Sequence, residues 1–460
     1  MCGIFAAYNC RKAAEFTYAG LHAIQHRAQD YAGIVTSDGV NLYRHAGPGI
    51  VQEVFDNKAL SRLHGLHAVG HIRYPTVGDE IEQQSEREKT QPIVSAFNNR
   101  EVAIAHNGNI MNYEQLLSLL RRHQLKTSID TEVMMRLFCE SDASDDIHRV
   151  FDAVCQARGT YSLVFLYEDV MIAVRDPFGN RPLALGRKDD AWFVSSETVA
   201  FDNLGIKYVR DIAPGEILVI TKYGQRSAYF NEQGVSLKPL DHDRSGCCFE
   251  SIYYSHPGSC INDCGVANFQ KEAGRLLYRE CPTDGDIVIG VPDSAMFHAL
   301  GYANESGIPF ELGITRSHYI GRTFIEPFQW LRDLKVRRKF TVIRELVKGK
   351  RIILVDDSIF RLTTMMGLVD LLWAAEVAEI HARIASAPIV YPCFYGIDVP
   401  SQKELAAANW TLEEIRQRTK LTSLYYLSMP GLKSLFKNPD NHCFACMDGQ
   451  YKIAPELCQK

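Results

Sequence analysis

Long apolar runs are absent from this sequence of 460 residues. No stretch approaches the roughly 20 consecutive apolar residues that a transmembrane helix needs, so no membrane span is expected. The amino terminus lacks a basic segment followed by an apolar core, and no secretory signal is expected either. Positive charge is not in excess, because the formal net charge is −5, and neither nucleic acid nor a membrane surface is an expected partner. The expected location is the cytoplasm.

Internal repeats and low-complexity tracts are absent too, and the composition is that of an ordinary globular protein. Hydrophobic residues make up 46% and charged residues 23% of the chain, which is typical of folded domains. A chain of this length is expected to form two or more domains. The 13 cysteines, without a secretory signal, predict reduced thiols, some of them metal-bound, rather than a disulfide framework.

The second residue is the first candidate for chemistry. The chain begins Met1-Cys2-Gly3, and ordinary removal of Met1 is expected to leave a thiol and a free α-amine on Cys2. Such a residue can act as nucleophile and base at once, because an α-amine with a pKa of about 8 can accept the thiol's proton near neutral pH. The alternative is a small apolar residue near a flexible terminus.

Residues 1 to about 230 are dominated by strand patterns. Strands are predicted at 4–8, 33–36, 40–43, 67–76, 104–110, 161–167, 171–174 and 192–195, and helices at 13–28, 113–122 and 130–139. Many strands with few helices predict two sheets that pack together, with the helices outside them.

The pattern changes after a polar stretch near residues 231–246, which predicts domains of about 1–240 and 241–460. Buried strands followed by loops and amphipathic helices are predicted at 286–306 and 351–375, with a further strand at 380–385. This order is typical of a parallel sheet that binds ligands at the carboxyl ends of its strands. The expected fold class is therefore α+β in the first domain and α/β in the second, which ends in a helical, cysteine-rich segment.

Four residues could assist Cys2 in cleaving an amide. Asn107 and Gly108 could donate a side-chain amide and a backbone N–H to the oxyanion of a tetrahedral intermediate. Arg73 could bind the carboxylate of an amino-acid substrate, and Asp130 its ammonium group. Each also has a structural interpretation, namely a hairpin turn for Asn107-Gly108, a half-exposed strand for Arg73 and a helix N-cap for Asp130.

Taken together, the motifs of the first half resemble those of class II glutamine amidotransferases. They are, in order, Met1-Cys2-Gly3-Ile4, Gln25-His26-Arg27, Gly70-His71-Ile72-Arg73-Tyr74, His106-Asn107-Gly108-Asn109 and Asp130-Thr131-Glu132. The resemblance implies an N-terminal-nucleophile (Ntn) hydrolase fold, an αββα sandwich, in which a thioester on Cys2 hydrolyses glutamine and releases ammonia. It also implies Asn107 and Gly108 as the oxyanion hole, and Arg73 and Asp130 as glutamine-binding residues.

A second candidate site follows the predicted strand at 351–356. Asp356 and Asp357 could bind the vicinal hydroxyls of a ribose, or a hydrated Mg²⁺. The turn Arg361-Leu362-Thr363-Thr364 begins a helix, and it offers hydroxyls, backbone N–H groups and a helix N-terminus to a phosphate. The alternative is a polar loop that only caps the helix.

This second motif resembles the phosphoribosyl pyrophosphate site of type I phosphoribosyltransferases. Joined to a class II glutaminase, it resembles the amidophosphoribosyltransferase family over nearly the whole chain. Further matching segments are 176–182, 307–310, 319–325 and 391–396. The resemblance implies that ammonia from the first site displaces the pyrophosphate of phosphoribosyl pyrophosphate and forms phosphoribosylamine, the first step of de novo purine synthesis.

The resemblance also implies ligands and partners. The residues implied for phosphoribosyl pyrophosphate are Asp356, Asp357, Ser358, Arg361, Thr363, Thr364, Arg337 and Lys339, and those implied for Mg²⁺ are Ser294, Asp356 and Asp357. Arg337 and Lys339 belong to a segment that resembles the loop closing over this substrate. Purine nucleotides are expected as inhibitors, and the chain is expected to form a homo-oligomer, either a tetramer or a dimer.

Departures from the family pattern lie at the second site. Leu362 stands where glycine is usual, and Ala295 follows Ser294 where the family again has glycine. Phe340-Thr341 replaces Leu-Asn. A side chain in place of glycine forbids a positive φ or crowds a phosphate, at a cost of about 1–2 kcal/mol. The alternative function is therefore a paralogue with an intact glutaminase half and an impaired or repurposed transferase half, acting as a regulator or an ammonia supplier.

Cysteines form the last candidate site. Cys443 and Cys446 make a Cys-x-x-Cys pair, a moderate metal signal. Cys247 and Cys393 match positions that complete a four-thiolate set in one branch of the family, and this match implies a structural [4Fe–4S] cluster. Zinc and unligated buried thiols remain alternatives, and Cys248, beside Cys247, is a competing ligand.

Overall fold

The computed structural model describes residues 1–74, 90–97, 100–121, 125–231, 233–241, 243–317, 339–399 and 401–458. Arg337 and the family-like segment 319–325 lie outside these residues. None of the helices in the described ranges combines the length and the apolar character that a bilayer crossing requires.

The first half of the chain is rich in strands, as predicted. Its strands are Gly3–Tyr8 (β1), Tyr31–Ser37 (β2), Leu42–Pro48 (β3), His67–Arg73 (β4), Ile93–Phe97 (β5), Arg100–Ile110 (β6), Gly159–Tyr167 (β7), Val170–Arg175 (β8), Ala184–Lys188 (β9), Ala191–Ser195 (β10), Lys207–Asp211 (β11), Glu216–Thr221 (β12), Gly224–Asn231 (β13) and Gly234–Ser236 (β14). Its helices are Ala13–Ala23 (α1), Val51–Val54 (α2), Asn57–Leu60 (α3), Tyr113–Leu119 (α4), Asp130–Glu140 (α5), Asp146–Val154 (α6) and Val199–Leu204 (α7).

These strands form two seven-stranded sheets, ordered β11-β9-β10-β1-β4-β2-β3 and β14-β13-β12-β8-β7-β6-β5. Strand β1 lies inside the first sheet and is buried on both faces. Its Ile4 and Ala6 pack against the second sheet, whereas Phe5 and Ala7 pack on the side of helix α1. Apolar side chains on both faces explain why β1 is a continuous apolar run rather than an alternating one.

The two sheets and their helices make four layers. Helix α1 covers the outer face of the first sheet, and α5 and α6 cover the outer face of the second. This is the αββα sandwich of the Ntn fold, as expected. The helix predicted over 13–28 ends at Ala23, and a 3₁₀ turn at Gln25–Arg27 follows it. This tighter turn brings the side chain of Arg27 to the start of β1.

The second half contains a parallel sheet. The strands of the whole second half are Gly246–Cys247 (β15), Cys260–Ile261 (β16), Cys264–Gly265 (β17), Ile287–Gly290 (β18), Ile314–Arg316 (β19), Phe340–Val342 (β20), Arg351–Asp356 (β21), Glu379–Ile384 (β22), Ser423–Tyr426 (β23) and His442–Cys443 (β24). Its helices are Val266–Glu280 (α8), Met296–Ser306 (α9), Arg344–Val347 (α10), Leu362–Ala374 (α11), Ala406–Asn409 (α12), Leu412–Arg418 (α13), Met429–Ser434 (α14) and Ala445–Asp448 (α15), with a π-helical turn at Glu250–Tyr254.

Strands β18, β21, β22 and β23 are adjacent and parallel, in the order β18-β21-β22-β23. Apolar side chains fill both faces of this sheet. Helices α11 and α13 pack on one face, and α8 and α9 on the other. The predicted α/β fold of the second half is therefore confirmed, and the carboxyl ends of β18 and β21 lie side by side.

Candidate active sites

Cys2 lies directly before β1, next to strand β4. Gly3 is paired with Ile72 of β4, so Cys2 lies beside Arg73. A Cβ atom on Gly3 would lie 2.9 Å from Ile24 Cδ1 and 3.0 Å from Ile72 Cγ1. A side chain at this position would therefore have to displace the ends of these two isoleucine side chains, which pack closely beside the start of β1.

Arg27 holds the backbone of Cys2. Its Nε donates a hydrogen bond of 3.0 Å to the Cys2 carbonyl oxygen. Its other nitrogens donate to both carboxylate oxygens of Glu250 at 3.0 Å and to Glu197 Oε1 at 2.6 Å. All three charged side chains are buried. Burial acts to lower the pKa of Arg27, but Glu250 and Glu197 raise it above its ordinary value, and the guanidinium stays charged.

This buried charge cluster continues into the second half of the chain. Glu250 lies in the π-helical turn, and Arg181 Nη1 approaches its Oε1 at 3.4 Å. The sequence motifs included Arg27 and Arg181 but assigned no role to either, and Glu250 was not singled out. Its only signal was its position three residues after Cys247, because an ion pair between residues 223 positions apart has no local pattern.

Asn107 and Gly108 lie within β6 and not in a hairpin turn. Asn107 is 2% exposed, and its Nδ2 has no hydrogen-bond partner within the described part of the chain. A buried donor without an acceptor costs about 1–3 kcal/mol. Gly108 has a φ of +156°, and a Cβ there would lie 2.0 Å from the Thr160 carbonyl oxygen. The site therefore contains an unused amide donor beside a position that only glycine can occupy.

Asp130 and His106 lie on the same side of this site. Asp130 Oδ2 accepts a hydrogen bond from Ile110 N at 3.0 Å, and its Oδ1 lies 3.5 Å from His106 Nδ1. Burial acts to raise the pKa of Asp130, but His106 lowers it below its ordinary value. Cys2 is among the neighbouring groups that raise the pKa of His106. Strand pairing thus places Cys2 beside Arg73, and Asp130 contacts His106 and Ile110 of the strand that contains Asn107; the roles of these residues stay predictions.

The two sheets are connected at this point by a buried histidine. His71 Nε2 lies 2.9 Å from the carbonyl oxygen of His106, the residue before Asn107. Burial lowers the pKa of His71 to about 3, so its imidazole is neutral at physiological pH. A neutral imidazole N–H donor can hold the His106 carbonyl without adding charge, and it fixes the distance between the strand of Arg73 and the strand of Asn107.

The second site lies at the carboxyl end of β21. Asp357 accepts hydrogen bonds from Ser294 Oγ at 2.5 Å and from Ser358 Oγ at 2.6 Å, and its N–H donates to Asp356 Oδ1 at 2.9 Å. Burial and the charge of Asp357 raise the pKa of Asp356 well above its ordinary value, and burial raises the pKa of Asp357. Lys339 is the cation that opposes both shifts. The carboxylates of Asp356 and Asp357 are oxygen ligands of the kind that Mg²⁺ prefers.

Helix α11 begins next to these carboxylates. Thr363 and Thr364 are exposed in its first turn, and its N-cap residue Arg361 makes no side-chain cap hydrogen bond. The first backbone N–H groups of the helix therefore remain available to an anion. Arg361 itself is exposed and donates to Glu404 Oε2 at 2.8 Å through Nε. Substrate would have to compete with Glu404 for that guanidinium.

Leu362 and Ala295 do not close the second site. Leu362 is buried, and it packs into the core on the α11 face of the sheet together with Ile359 and Met365. Ala295 is fully buried in the same core, with a φ of −94°. Neither residue has a positive φ, so the conformational penalty that these departures from glycine suggested is absent. At these two positions the structure gives no support to the alternative of an impaired transferase half.

The four predicted metal-binding cysteines line one cavity. Cys247 and Cys443 are neighbours in the parallel pair β15–β24. The cavity is lined by Asn180, Cys247, Cys393, Tyr395, Ile397, Val399, Cys443, Ala445, Cys446 and Tyr451. Cys248 is fully buried and does not line it. Among the described residues, no group of three or more His, Cys, Asp or Glu side chains surrounds a position for a single ion.

Burial and a nearby guanidinium act on the thiols of this cavity in opposite directions. Burial, and the negative charge of Cys393, Cys443 and Cys247, raise the pKa of Cys446 well above its ordinary value. Burial acts to lower the pKa of Arg181, but Cys247 and Cys393 raise it. The buried guanidinium of Arg181, which interacts with Cys247, Cys393 and Cys443, can offset part of the charge of a thiolate-bound cluster, so these residues fit such a group.

Comparisons with known proteins point to one family. A model of the glutamine amidotransferase domain matches residues 80–203. The chain is 41% identical over 458 residues to the amidophosphoribosyltransferase of Bacillus subtilis, covering 98% of this chain and 94% of that protein. It is 40% identical over 467 residues to the enzyme of Methanocaldococcus jannaschii, covering 98% of this chain and 97% of that protein.

A solved structure agrees with these relatives. The glutamine phosphoribosylpyrophosphate amidotransferase of B. subtilis, complexed with ADP and GMP, matches with a TM-score of 0.91 and 39% identity. The match covers 99% of this chain and 98% of that one. Fold and sites thus define a class II glutamine amidotransferase joined to a type I phosphoribosyltransferase.

The chain belongs to the amidophosphoribosyltransferase family. Its activity is the glutamine-dependent conversion of phosphoribosyl pyrophosphate to 5-phosphoribosylamine, with glutamate and pyrophosphate as the other products. This reaction is the first step of de novo purine synthesis.

Proposed function

We propose that residues 1–240 hydrolyse glutamine at Cys2, and that residues 241–460 transfer the released nitrogen to phosphoribosyl pyrophosphate. The observation that carries the first assignment is the buried Nδ2 of Asn107, which lacks a partner in the described chain. Beside it, Gly108 offers a backbone N–H. Donors held in place before the oxyanion forms are the largest single source of rate enhancement in many acyl transfers.

The proposed first reaction uses the two groups of mature Cys2. The α-amine accepts the thiol's proton, and the thiolate attacks the amide carbon of glutamine. The oxyanion accepts hydrogen bonds from Asn107 and Gly108, and the C–N bond breaks as the nitrogen takes up the proton and leaves as ammonia. Water then hydrolyses the thioester to glutamate. Burial lowers the pKa of the Met1 amine to about 6. Similar burial of the α-amine of mature Cys2 would favour its neutral form, which is the form that acts as a base.

The same proposal assigns glutamine recognition to Arg73 and Asp130. Arg73 is 6% exposed and lies over the ring of Tyr31, with 5.9 Å between its Cζ and the ring centroid. Its planar guanidinium suits the substrate's carboxylate. Asp130 is kept ionised by His106, and its side chain is 23% exposed, so it can reach the substrate's ammonium group.

Replacement of Asn107 by alanine tests the oxyanion hole. We expect kcat for glutamine hydrolysis to fall by about 10²–10³-fold, because one oxyanion donor is lost. The KM for glutamine should change by less than about threefold, because the donor acts on the transition state rather than on bound glutamine. Ammonia-dependent synthesis should be unaffected. Steady-state assays of glutamate and phosphoribosylamine check all three values.

A matched control for this variant is Asn112→Ala. Asn112 is also buried, but its side chain has structural partners, Arg158 N at 2.8 Å and the Gln156 carbonyl oxygen at 2.9 Å. This variant should be less stable while its kcat for glutamine stays close to that of the parent. Equal loss of kcat in both variants would contradict the assignment of Asn107 to the oxyanion hole.

For the transferase half, we propose that Asp356 and Asp357 bind the ribose hydroxyls and, with Ser294, a Mg²⁺ ion. The first turn of α11, with Ser358, Thr363 and Thr364, binds the 5-phosphate, while Arg361, Lys339 and Arg337 contribute positive charge. Mg²⁺, when bound, would neutralise charge on the pyrophosphate. Ammonia then donates its electron pair to C1 of the ribose, the C1–O bond breaks, and pyrophosphate leaves with the bonding electrons. Exclusion of bulk water protects ammonia from protonation and C1 from hydrolysis.

We also propose that Cys247, Cys393, Cys443 and Cys446 hold a [4Fe–4S] cluster. The four thiols line one cavity beside Arg181, and four thiolates are the usual ligands of such a cluster. The cluster would connect the end of the chain to two earlier segments, in the manner of a structural crosslink. Purine nucleotide inhibition and assembly into a homo-oligomer are further proposals, and the ADP and GMP bound to the B. subtilis enzyme support the former.

The metal content of anaerobically purified protein tests the cluster. We expect about four iron atoms and four acid-labile sulfides per chain, with visible absorbance that air removes. Cys446→Ser should lose iron and absorbance, whereas Cys155→Ser, a change at a half-buried cysteine outside the cavity, should keep both. One zinc per chain without acid-labile sulfide would show that the four cysteines bind zinc instead of a cluster. Metal-free protein would leave four free thiols.

A further inference from the structure

A loop of the second half, residues 394–396, lies against β6, the strand that contains Asn107 and Gly108. The Phe394 carbonyl oxygen accepts a hydrogen bond from Asn109 Nδ2 at 2.9 Å. The Tyr395 carbonyl oxygen accepts from Thr160 Oγ1 at 3.0 Å and from Arg181 Nε at 3.1 Å. Donors from β6, β7 and the loop after β8 therefore hold two successive carbonyl groups of this loop.

The next residue, Gly396, contacts Gly108 directly. A Cβ atom on Gly396 would lie 2.9 Å from both the carbonyl carbon and the carbonyl oxygen of Gly108, and 3.4 Å from Asn109 N. Gly396 also has a φ of +90°, which side chains disfavour. On its other side, Gly108 is confined by the Thr160 carbonyl oxygen, 2.0 Å from where its own Cβ would be. Gly108 is thus held between backbone atoms of both halves of the chain.

We propose that Gly396 is a positioning residue for glutamine hydrolysis. Because Gly396 has no side chain, the loop of residues 394–396 can pack against the peptide that follows Gly108. This packing keeps the Gly108 N–H directed at the oxyanion. Gly396 does not touch substrate, and it acts only through Gly108. The inference rests on the proposed role of Gly108 in the oxyanion hole. Its consequence is that residues of both halves set the geometry of the glutaminase site.

The test is Gly396→Ala in the full-length enzyme. The added methyl group must displace the Gly108 backbone by several tenths of an ångström, since backbone atoms cannot rotate away as a flexible side chain can. We expect kcat for glutamine hydrolysis to fall by about 10- to 100-fold, with KM for glutamine changed by less than about threefold. Ammonia-dependent formation of phosphoribosylamine should stay within about twofold of the parent value.

A second measurement separates the oxyanion hole from the nucleophile. Iodoacetamide alkylates a thiolate by displacing iodide at a saturated carbon, and no oxyanion forms in that reaction. The rate of Cys2 alkylation, followed by mass spectrometry of the amino-terminal peptide, should therefore be unchanged in Gly396→Ala. A purely structural defect would instead slow alkylation, lower the melting temperature and reduce both synthetic activities together.

One further variant provides a control, and another provides a second test. Gly307→Ala, also in the second half, introduces a side chain at a φ of +72° but meets no atom within 4 Å, so it reproduces the backbone strain without the contact and should keep its kcat. Thr160→Val removes only the hydroxyl that holds the Tyr395 carbonyl. It should lower kcat for glutamine about three- to tenfold even if Gly396→Ala does not fold, because one hydrogen bond to the loop is lost.

The proposal is overturned if kcat of a folded Gly396→Ala enzyme stays within about twofold of the parent. Equal losses in Gly307→Ala, or equal losses of glutamine- and ammonia-dependent synthesis, overturn it as well. Failure of the underlying function has a different result. If Cys2→Ala still hydrolysed glutamine, the nucleophile assignment would be wrong whatever the behaviour of Gly396.

Discussion

Cys2→Ala is expected to lose glutamine-dependent synthesis by about four orders of magnitude or more, the loss usual for removal of a catalytic nucleophile. Alanine has no atom that can form the thioester, and none of the neighbouring groups can replace it. Arg27 is fully engaged by Glu197, Glu250 and the Cys2 carbonyl oxygen. The remaining rate would come only from glutamine bound beside the oxyanion donors.

Synthesis from free ammonia should persist in this variant, because the site proposed for phosphoribosyl pyrophosphate, at the end of β21, does not include Cys2. The measurement follows glutamate, pyrophosphate and phosphoribosylamine together, with either glutamine or an ammonium salt as nitrogen donor. Cys10→Ala serves as the control, since Cys10 is a buried core thiol on the same side of the first sheet. Continued glutamate production by Cys2→Ala would show that another residue is the nucleophile.

The double variant Asp356→Asn, Asp357→Asn is expected to lower pyrophosphate release by about 10²–10³-fold with either nitrogen donor, because two ligand charges disappear while the shape of the site is kept. Basal glutamine hydrolysis, measured without phosphoribosyl pyrophosphate, should remain. The matched control is Asp370→Asn, an exposed carboxylate of α11 paired with Lys420 at 2.8 Å. Undiminished pyrophosphate release in the double variant would show that Asp356 and Asp357 do not belong to the site.

The same double variant should also reveal a pH-dependent difference in stability. Burial raises the pKa values of Asp356 and Asp357 in the folded state, and the charge of Asp357 raises that of Asp356 further. A raised carboxyl pKa means that the folded protein loses stability as pH rises through that pKa, whereas asparagine stays neutral. We therefore expect the difference in melting temperature, variant minus parent, to increase with rising pH and to shrink at acidic pH when both are measured in the presence of a chelator. A difference independent of pH would contradict the raised pKa values.

Much of the glutaminase site could be predicted from short stretches of sequence. Cys2 precedes a continuous apolar strand, and that pattern requires burial on both faces, as β1 shows. Asn107-Gly108 was recognised from its motif, but a turn and a strand were both compatible with it. The choice depended on pairing with β7, in which Gly108 lies opposite Tyr161, and pairing between distant strands leaves no local signal.

The second site shows where sequence patterns mislead. Leu362 in place of glycine suggested a blocked phosphate turn, because a motif does not tell in which direction a side chain points. In the fold, the side chain enters the core between α11 and the parallel sheet. The first turn of α11 therefore presents its exposed threonines and backbone to the site, and the leucine faces the other way.

Residue identity and local periodicity were enough to indicate the candidate nucleophile, the twin carboxylates, the Cys443–Cys446 pair and the strand-rich and alternating halves, since each depends on a pattern within a few positions; Cys247 and Cys393 were indicated only by the family resemblance. The contacts of Arg27 with Glu250 and of Gly396 with Gly108 were decided only by the packing of the two halves. Those contacts join residues more than 200 positions apart, and their energy depends on backbone placement and burial, which exist only in the folded chain.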